Sequence, residues 1–389
     1  MVLLFIKKLS LKNFRNYTSI DVSFSKNTNI LIGHNAQGKT SLIEGIFVLS
    51  RTKSHRTSKD VQMIHFDQDF AKIDASLELP DDEDIHLSLT ITKKGKTAKY
   101  NDVPATRLSA YVGKLKTVFF APEDLELIKG SPTVRRRFLN MEIGQLDPLY
   151  LHHLTSYSKI LKQRNELLKS YDESSSNKLM LEVLTEQLVP HLAYLLNKRI
   201  WFLKSLEKHA KKVHAFITES REAISFKYIN SMRIDEITAN AAEVTAAALM
   251  AKLESLYEND KRMRTTTVGA HRDDFTVFLS TKSLSNVTDL AHISAHEFAS
   301  QGQQRTSVLS IKLAEIELIH AQTGIYPILL LDDVLSELDS HRQIKLLMST
   351  KDKTQTFITT TSVSTISKEI IETSDVFVIE DAKIGDYCE

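Results

Sequence analysis

The sequence predicts an α/β protein in which two separated stretches of chain build a mixed sheet with helices, and a mainly helical lobe is inserted between them. Three observations predict it. A buried-looking strand, "NILI", runs into the Gly-rich "GHNAQGKT" and then into an amphipathic helix, the order that a phosphate-binding strand-loop-helix unit requires. A second apolar strand, "YPILLLDD", ends in two aspartates near the other end of the chain. Between them, from about residue 135 to 222, the hydrophobic period changes from two to between three and four.

In order along the chain, Leu9 and Leu11, then Ile20, Val22 and Phe24, alternate as strands, and "NILI" closes a third at Ile32. The helix after the Gly-rich loop carries Leu42, Ile43, Ile46, Phe47 and Leu49 on its apolar side. "AKIDASLEL", "IHLSLTI" and "KTVFF", separated by "PDDED" and "KKGK", read as an antiparallel extension of a sheet. The helical stretch has a stripe from Leu192 to Ile217 and is expected to break at Pro190 and at "SYDESSSNK". A strand "AISFKYI" and a helix from 238 to about 261 complete the lobe. "FTVFL", a helix over 302–322, the acidic strand, "TQTFITTTS" and "DVFVIED" return to sheet character. The expected division is 1–134, 135–264 for the inserted lobe, and 265–389.

Composition narrows the class. A chain of 389 residues allows two or three domains, and 42% hydrophobic with 25% charged residues is ordinary for a soluble globular protein. Lys+Arg 50 against Asp+Glu 49 leaves a net charge of +1, so any nucleic-acid surface must be local. The apolar N-terminal run lacks a basic flank and a cleavage site and reads as a strand. No apolar stretch is long enough for a membrane span. The single cysteine, Cys388, cannot pair within the chain, which fits a reducing cytoplasmic setting.

The chemistry sits in three motifs. "GHNAQGKTS" (Gly33, His34, Asn35, Ala36, Gln37, Gly38, Lys39, Thr40, Ser41) satisfies the P-loop pattern. Its glycines let backbone N–H groups wrap phosphates, Lys39 reaches the terminal ones, and the Thr40 hydroxyl is a magnesium ligand. After the acidic strand, Asp332 is the second magnesium ligand and Asp333 the group that orients or deprotonates the attacking water. Two aspartates after a strand would alone fit a turn or a helix cap; the P-loop changes that reading. "VLSELD" adds Ser336 and Asp339 to the nucleotide set. "SQGQQ" places Ser300, Gly302 and Gln303 at the start of a helix, where unpaired N–H groups and the positive end of the dipole favour an anion.

"SQGQQ", ahead of the acidic strand, resembles the signature motif of ABC-type ATPases, with Ser300, Gly302 and Gln303 in the positions of that family's Ser, second Gly and Gln. "KNFRNY", "KSHRT", "FAPEDLELIKGSP", "RRRFLNMEIGQLDPLYLHHLTSYSKILKQRN" and "TTTVGAHRDDF" resemble the RecF family of bacterial recombination-repair proteins across nearly the whole chain. The resemblance implies an ABC-type P-loop ATPase lobe related to SMC heads, with an inserted lid lobe and no long coiled coil. It implies ATP and Mg2+ as cofactors, weak DNA-stimulated hydrolysis, and an ATP-dependent homodimer in which one subunit's signature caps the γ-phosphate held by the other. Lys39, Ser300, Asp332 and Asp333 then carry the core roles. Duplex or gapped DNA bound through its backbone, RecR and RecO as partners in loading recombinase, and a cytoplasmic, nucleoid-associated location follow from the same resemblance.

Three positions depart from the ABC pattern. The second acid is Asp333, where many ABC enzymes have Glu; the Q-loop region offers Pro122, Glu123 and Asp124; and Thr359, Thr360 and Thr361 stand in place of the switch histidine. A nucleotide-binding subunit of a membrane transporter shares the three motifs, but the long inserted lobe and the missing glutamine speak against it. A clamp that binds ATP and barely hydrolyses it is the other reading. The basic runs "RTKSHR", "KKGKTAK", Arg135 to Arg137 and "KHAKK" are each read as solvated surface before a DNA contact. "GAHRDD" is assigned to the nucleotide or lobe interface, with an Arg272 to Asp273 ion pair equally open.

Overall fold

A computed structural model describes residues 4–79, 84–172, 174–233, 244–281, 293–362, 366 and 368–386. Contacts group the chain into two compact units. One holds the residues up to Leu125, Lys212–Arg221 and those from Gln301 on; the other holds Glu126–Lys211 and Glu222–Ser300.

The first unit opens with β1 (Phe5–Phe14), β2 (Tyr17–Ser23), β3 (Thr28–Ile32), α1 (Lys39–Arg51), β4 (Phe70–Glu78), β5 (Asp84–Thr92), β6 (Gly95–Tyr100), β7 (Val103–Pro104) and β8 (Thr117–Phe120). Six of these strands form an antiparallel sheet in the order β2-β1-β4-β5-β6-β7. Alternation sets its faces: Ala71, Ile73, Ala75 and Leu77 of β4 are buried while the residues between them are not. β8, expected in this extension, belongs elsewhere. It is buried along its whole length and pairs in parallel with a later strand, as a strand covered on both faces does.

The second unit contains α2 (Pro132–Leu146), α3 (Pro148–Lys169), α4 (Ser175–Ile217), β9 (Glu222–Ile229), α5 (Ala246–Ser255), α6 (Tyr257–Met263), β10 (Asp274–Thr281) and β11 (Ile293–Ser294); the last turns of α4 group with the first unit. Pro132 and Pro148 open their helices, where a missing N–H costs nothing, and Asp147 caps α3 by accepting from Leu149 N at 3.0 Å. Pro190 does not break α4, contrary to the sequence expectation: buried Leu188, Val189 and Leu192 anchor the helix on both sides of the one lost hydrogen bond. The helix expected over 238 to 261 is two helices, α5 and α6, which meet at Leu256; residues 234–243 lie outside the described residues.

The expected boundaries at 134/135 and 264/265 fall instead at 125/126 and 300/301. The reason is strand pairing: β10, which carries "FTVFL", pairs antiparallel with β9 along its full length and with β11 at its end, so 265–300 belongs to the inserted unit.

The chain then returns to the first unit with α7 (Gln301–Thr323), β12 (Ile328–Asp332), α8 (Ser340–Thr350), β13 (Thr356–Thr360), β14 (Ser374–Glu380) and β15 (Lys383–Asp386). Its second sheet runs β15-β14-β3-β13-β12-β8, parallel except for β15. Here β13 lies between the strand that feeds the P-loop and the strand that ends in the aspartates. In register, Thr359 faces Leu31 on one side and Asp332 on the other. Leu42, Ile43, Ile46 and Leu49 of α1 are fully buried, so packing fixes the helix that follows the loop.

Candidate functional site

Crevices outside the carboxyl ends of parallel strands are where α/β sheets bind ligands, and the candidate site lies there. The loop after β3 needs glycine twice. Gly38 has φ 120°, and a Cβ on it would meet the Tyr17 hydroxyl at 2.7 Å; that hydroxyl donates to the Gly38 carbonyl at 3.2 Å. A Cβ on Gly33 would stand 2.2 Å from the Ile379 carbonyl oxygen of β14. His34, Asn35 and Ala36 form the exposed tip, and Gln37 accepts from Ala382 N at 3.0 Å, which ties the loop to the turn after β14.

Lys39 and Thr40 open α1. The buried Lys39 ammonium donates to the carbonyls of Gly33 at 2.6 Å and His34 at 2.8 Å, so its charge is held over the loop. Burial lowers its pKa from the ordinary value, against the pull of Asp333 and Asp332. Ser41, after Thr40, is buried.

Asp332 ends β12. The Thr40 hydroxyl donates to its Oδ1 at 3.0 Å and the Thr359 hydroxyl donates to the same oxygen at 2.7 Å. Burial pushes the Asp332 carboxyl above its ordinary value and the two hydroxyls oppose that shift. Thr359 also accepts from Asp333 N at 2.9 Å, so one side chain fixes both aspartates. Asp333 takes a left-handed backbone at φ 54°, which turns the chain as it leaves the strand, and Ser336 donates to its carbonyl at 2.8 Å. A carboxylate and a hydroxyl are hard oxygen donors that suit Mg2+, so the set Thr40 and Asp332 fits the ion the sequence implies.

The cleft over these groups has a volume of about 600 Å3, within the range of small-molecule sites. Gly38, Lys39, Thr40, Ser41, Asp333, Thr359 and Thr361 line it, together with Arg15, Asn16, Arg56, Gln62 and Ile64–Phe66. The sequence assigns none of this second group to the nucleotide, although "KNFRNY" and "KSHRT" contain three of its members. Its anchor is Glu44 of α1, whose side chain is fully buried and grips Arg15 through two hydrogen bonds of 2.9 and 2.6 Å, with Arg56 at 3.5 Å. Burial alone would raise the Glu44 pKa, but hydrogen bonds from Arg15 and Ser54 hold it below the ordinary value.

The signature residues stand at the start of α7. Ser300 is exposed and immediately precedes α7; the Gly302 carbonyl accepts from Thr306 Oγ1 and the Gln303 carbonyl from Ser307 Oγ, each at 2.8 Å. Ser300, Gly302, Gln303, Ser336 and Asp339 are absent from the cleft's lining among the described residues. Asp339 caps α8 by accepting from Arg342 N at 2.9 Å, and Arg342 Nε donates to Thr306 Oγ1 at 2.9 Å. Arg305 completes the link from α7 by donating to the Glu337 carbonyl at 3.0 Å and pairing with its carboxylate. In the Q-loop region Asp124, which accepts from Ala121 N at 2.9 Å, pairs with the buried Lys312 of α7 at 3.3 Å.

Much of the basic surface anticipated from sequence is engaged within the fold. Arg51 donates to the Thr117 carbonyl at 2.8 Å, Lys96 pairs with Asp60 at 2.7 Å, and Arg135 holds Asp274 through bonds of 2.7 and 2.8 Å. In "GAHRDD" Ala270 and Asp273 are buried in the inserted unit while Arg272 is exposed: Asp273 accepts from Tyr228 at 2.7 Å and from the Ser231 backbone and hydroxyl at 2.8 Å. No group of three metal-ligating side chains occurs among the described residues, and none of their helices is long and apolar enough to cross a membrane.

Comparison with known proteins gives one answer. The model of the RecF/RecN/SMC N terminal domain matches residues 5–384. The DNA replication and repair protein RecF of Oceanobacillus iheyensis is 44% identical over 381 residues, covering 98% of this chain and 100% of that protein. RecF of Bacillus pumilus is 43% identical over 392 residues, with 98% and 100% coverage. A solved structure of the recombination mediator protein RecF-ATP in the RecFOR pathway superimposes with a TM-score of 0.86 at 30% identity, covering 99% of this chain and 98% of that one. The Smc head domain of Pyrococcus furiosus shares the fold, with a TM-score of 0.51 at 14% identity over 99% and 96% of the two chains. With its P-loop facing Asp332 and Asp333 across β13, the chain belongs to the RecF family of DNA replication and repair proteins, on the ATPase fold shared with SMC heads.

Proposed function

We propose that this chain binds Mg2+-ATP in the P-loop cleft, closes with a second copy of itself on DNA, and reopens by slow hydrolysis to ADP and phosphate. The observation that carries the reading is the convergence of Thr40 and Thr359 on one oxygen of Asp332 beside the buried Lys39. The exposed loop N–H groups and Lys39 would hold the triphosphate, and Asp333 would orient the water that attacks its terminal phosphorus. Thr40 and Asp332 would hold the metal, whose charge stabilises the phosphoryl oxygens in the transition state. Catalysis is then positioning and electrostatics with no covalent intermediate. A weak rate is consistent with Asp333, a short carboxylate whose backbone is fixed by Thr359 and Ser336.

Ser300, Gly302 and Gln303 would cap the phosphate held by the partner copy, with Ser336 and Asp339 nearby; this is supported by their standing outside the cleft of their own chain. On this reading the chain binds gapped or duplex DNA through the backbone and acts with RecO and RecR in the cytoplasm to help load recombinase, which is supported by relatives named for DNA replication and repair and for the RecFOR pathway. The test is the solution mass of the Asp333→Asn protein by light scattering, with and without Mg2+-ATP. A doubling of mass only with ATP supports the reading. A monomer in both states, with ATP bound, removes the dimer and the signature's role with it.

A further inference from the structure

The cleft has two walls of different chemistry. The P-loop, Lys39, Thr40 and Asp333 make one suited to phosphates and metal; Arg15, Asn16, Arg56, Gln62, Ile64, His65 and Phe66 make the other. The guanidiniums of the second wall are turned to the protein: Arg15 is committed to the buried Glu44 through two hydrogen bonds, and Arg56 pairs with the same carboxylate at 3.5 Å. What remains is an aliphatic side chain, two amides and two flat rings.

Phe66 is the outlier. It is 84% exposed, the most of any large hydrophobic residue among those described, yet the backbone on either side of it is held. His65 N donates to the Asn13 carbonyl at 2.8 Å, His65 Nδ1 lies 2.7 Å from the Arg15 carbonyl, and Gln68 N closes a turn on the His65 carbonyl at 3.1 Å. Ile64 is bridged to Phe14 in antiparallel fashion. A single exposed phenylalanine is unremarkable on a protein surface. One held on a fixed backbone at the wall of a nucleotide cleft is a ready stacking platform, since every nucleobase has a π face and the ordering cost is met in advance.

We propose that Phe66 stacks on the base of the bound nucleoside triphosphate and sets the share of affinity that comes from the base; this rests on the phosphate-site reading above. The experiment is calorimetric titration of the full chain with Mg2+-ATP and, separately, with magnesium and inorganic tripolyphosphate. The proteins are wild type, Phe66→Ala, Phe66→Tyr and Lys39→Ala. Loss of one base-aromatic stack predicts that Phe66→Ala weakens ATP binding about tenfold, leaves tripolyphosphate within about twofold, and is rescued by Phe66→Tyr. Unchanged ATP affinity in Phe66→Ala overturns the proposal, as it would if the ring instead meets a second copy. Equal weakening of both ligands also overturns it, because the effect would then be on the phosphate wall. Should wild type bind neither ligand, or bind ATP without need of Lys39, the phosphate-site reading falls and the base platform falls with it.

Discussion

Thr359 links the two aspartates of the cleft: it donates to Asp332 and accepts from the Asp333 backbone. Thr359→Val keeps the shape and removes both. Positioning groups behind metal ligands typically contribute 10–100-fold, so turnover should fall by roughly that factor while ATP still binds, and Thr359→Ser should restore most of it. Steady-state hydrolysis beside equilibrium binding reads the two effects separately; a variant with unchanged turnover would remove Thr359 from the site. At this scale the contiguous motifs were legible. Gly33 to Ser41 and the Asp332–Asp333 pair are short, and their chemistry requires fixed spacing. Thr359 stood among three candidates, and only the β12–β13 register singles it out. Arg15, Arg56 and Phe66 are brought in from segments before and after the loop, and no local spacing announces that they share a wall with it.

At the level of elements, the inserted unit is clamped by charge as well as by apolar packing. Arg164 of α3 and Asp260 of α6, both with fully buried side chains, pair at 2.8 Å, and Arg164 also donates to Thr185 of α4 at 3.1 Å. Asp260→Ala leaves an uncompensated guanidinium and should lower unfolding stability by roughly 3–5 kcal/mol, with Arg164→Leu/Asp260→Leu losing less, measured by urea denaturation. The turn before β10 adds a pH dependence. His271 Nε2 lies 3.2 Å from the Thr266 carbonyl, which can only accept, so Nδ1 accepts from the Tyr157 hydroxyl at 2.7 Å and the ring is neutral. Burial lowers its pKa from 6.5 to about 4. Below pH 6.5 the unfolded chain takes up a proton that the folded ring refuses, so this stability is complete above pH 6.5 and is lost as pH falls toward 4. Between pH 7 and 5 wild type should lose about 2 kcal/mol more than His271→Asn; equal losses would show that the ring is not held neutral. Most elements were legible from periodicity, but the partners of β8 and β10 were not, because strand pairing is set by distant chain. Continuity of α4 through Pro190 was likewise decided by packing around Leu188 and Leu192 rather than by the proline.

For the whole molecule, the question is what the start of α7 is for. The helix is fixed to the segment between β12 and α8 of its own chain through Arg305 with Glu337, and to α8 through Arg342, which bonds Thr306 and is capped by Asp339. Ser300 itself is exposed and is not among the residues that line the cleft. The helix dipole predicts an anion there, and the family resemblance implies that the anion belongs to another copy. If Ser300 caps a partner's phosphate, Ser300→Arg puts a bulky side chain in the closed interface while leaving the P-loop untouched. Combined with Asp333→Asn to stop turnover, it should remain a monomer with Mg2+-ATP in light scattering, although each chain binds ATP as tightly as the Asp333→Asn parent. Loss of ATP binding by the isolated chain would mean that Ser300 serves its own nucleotide. Dimers that form undisturbed would mean that the subunits close through another face, leaving the link from α7 to α8 a structural brace.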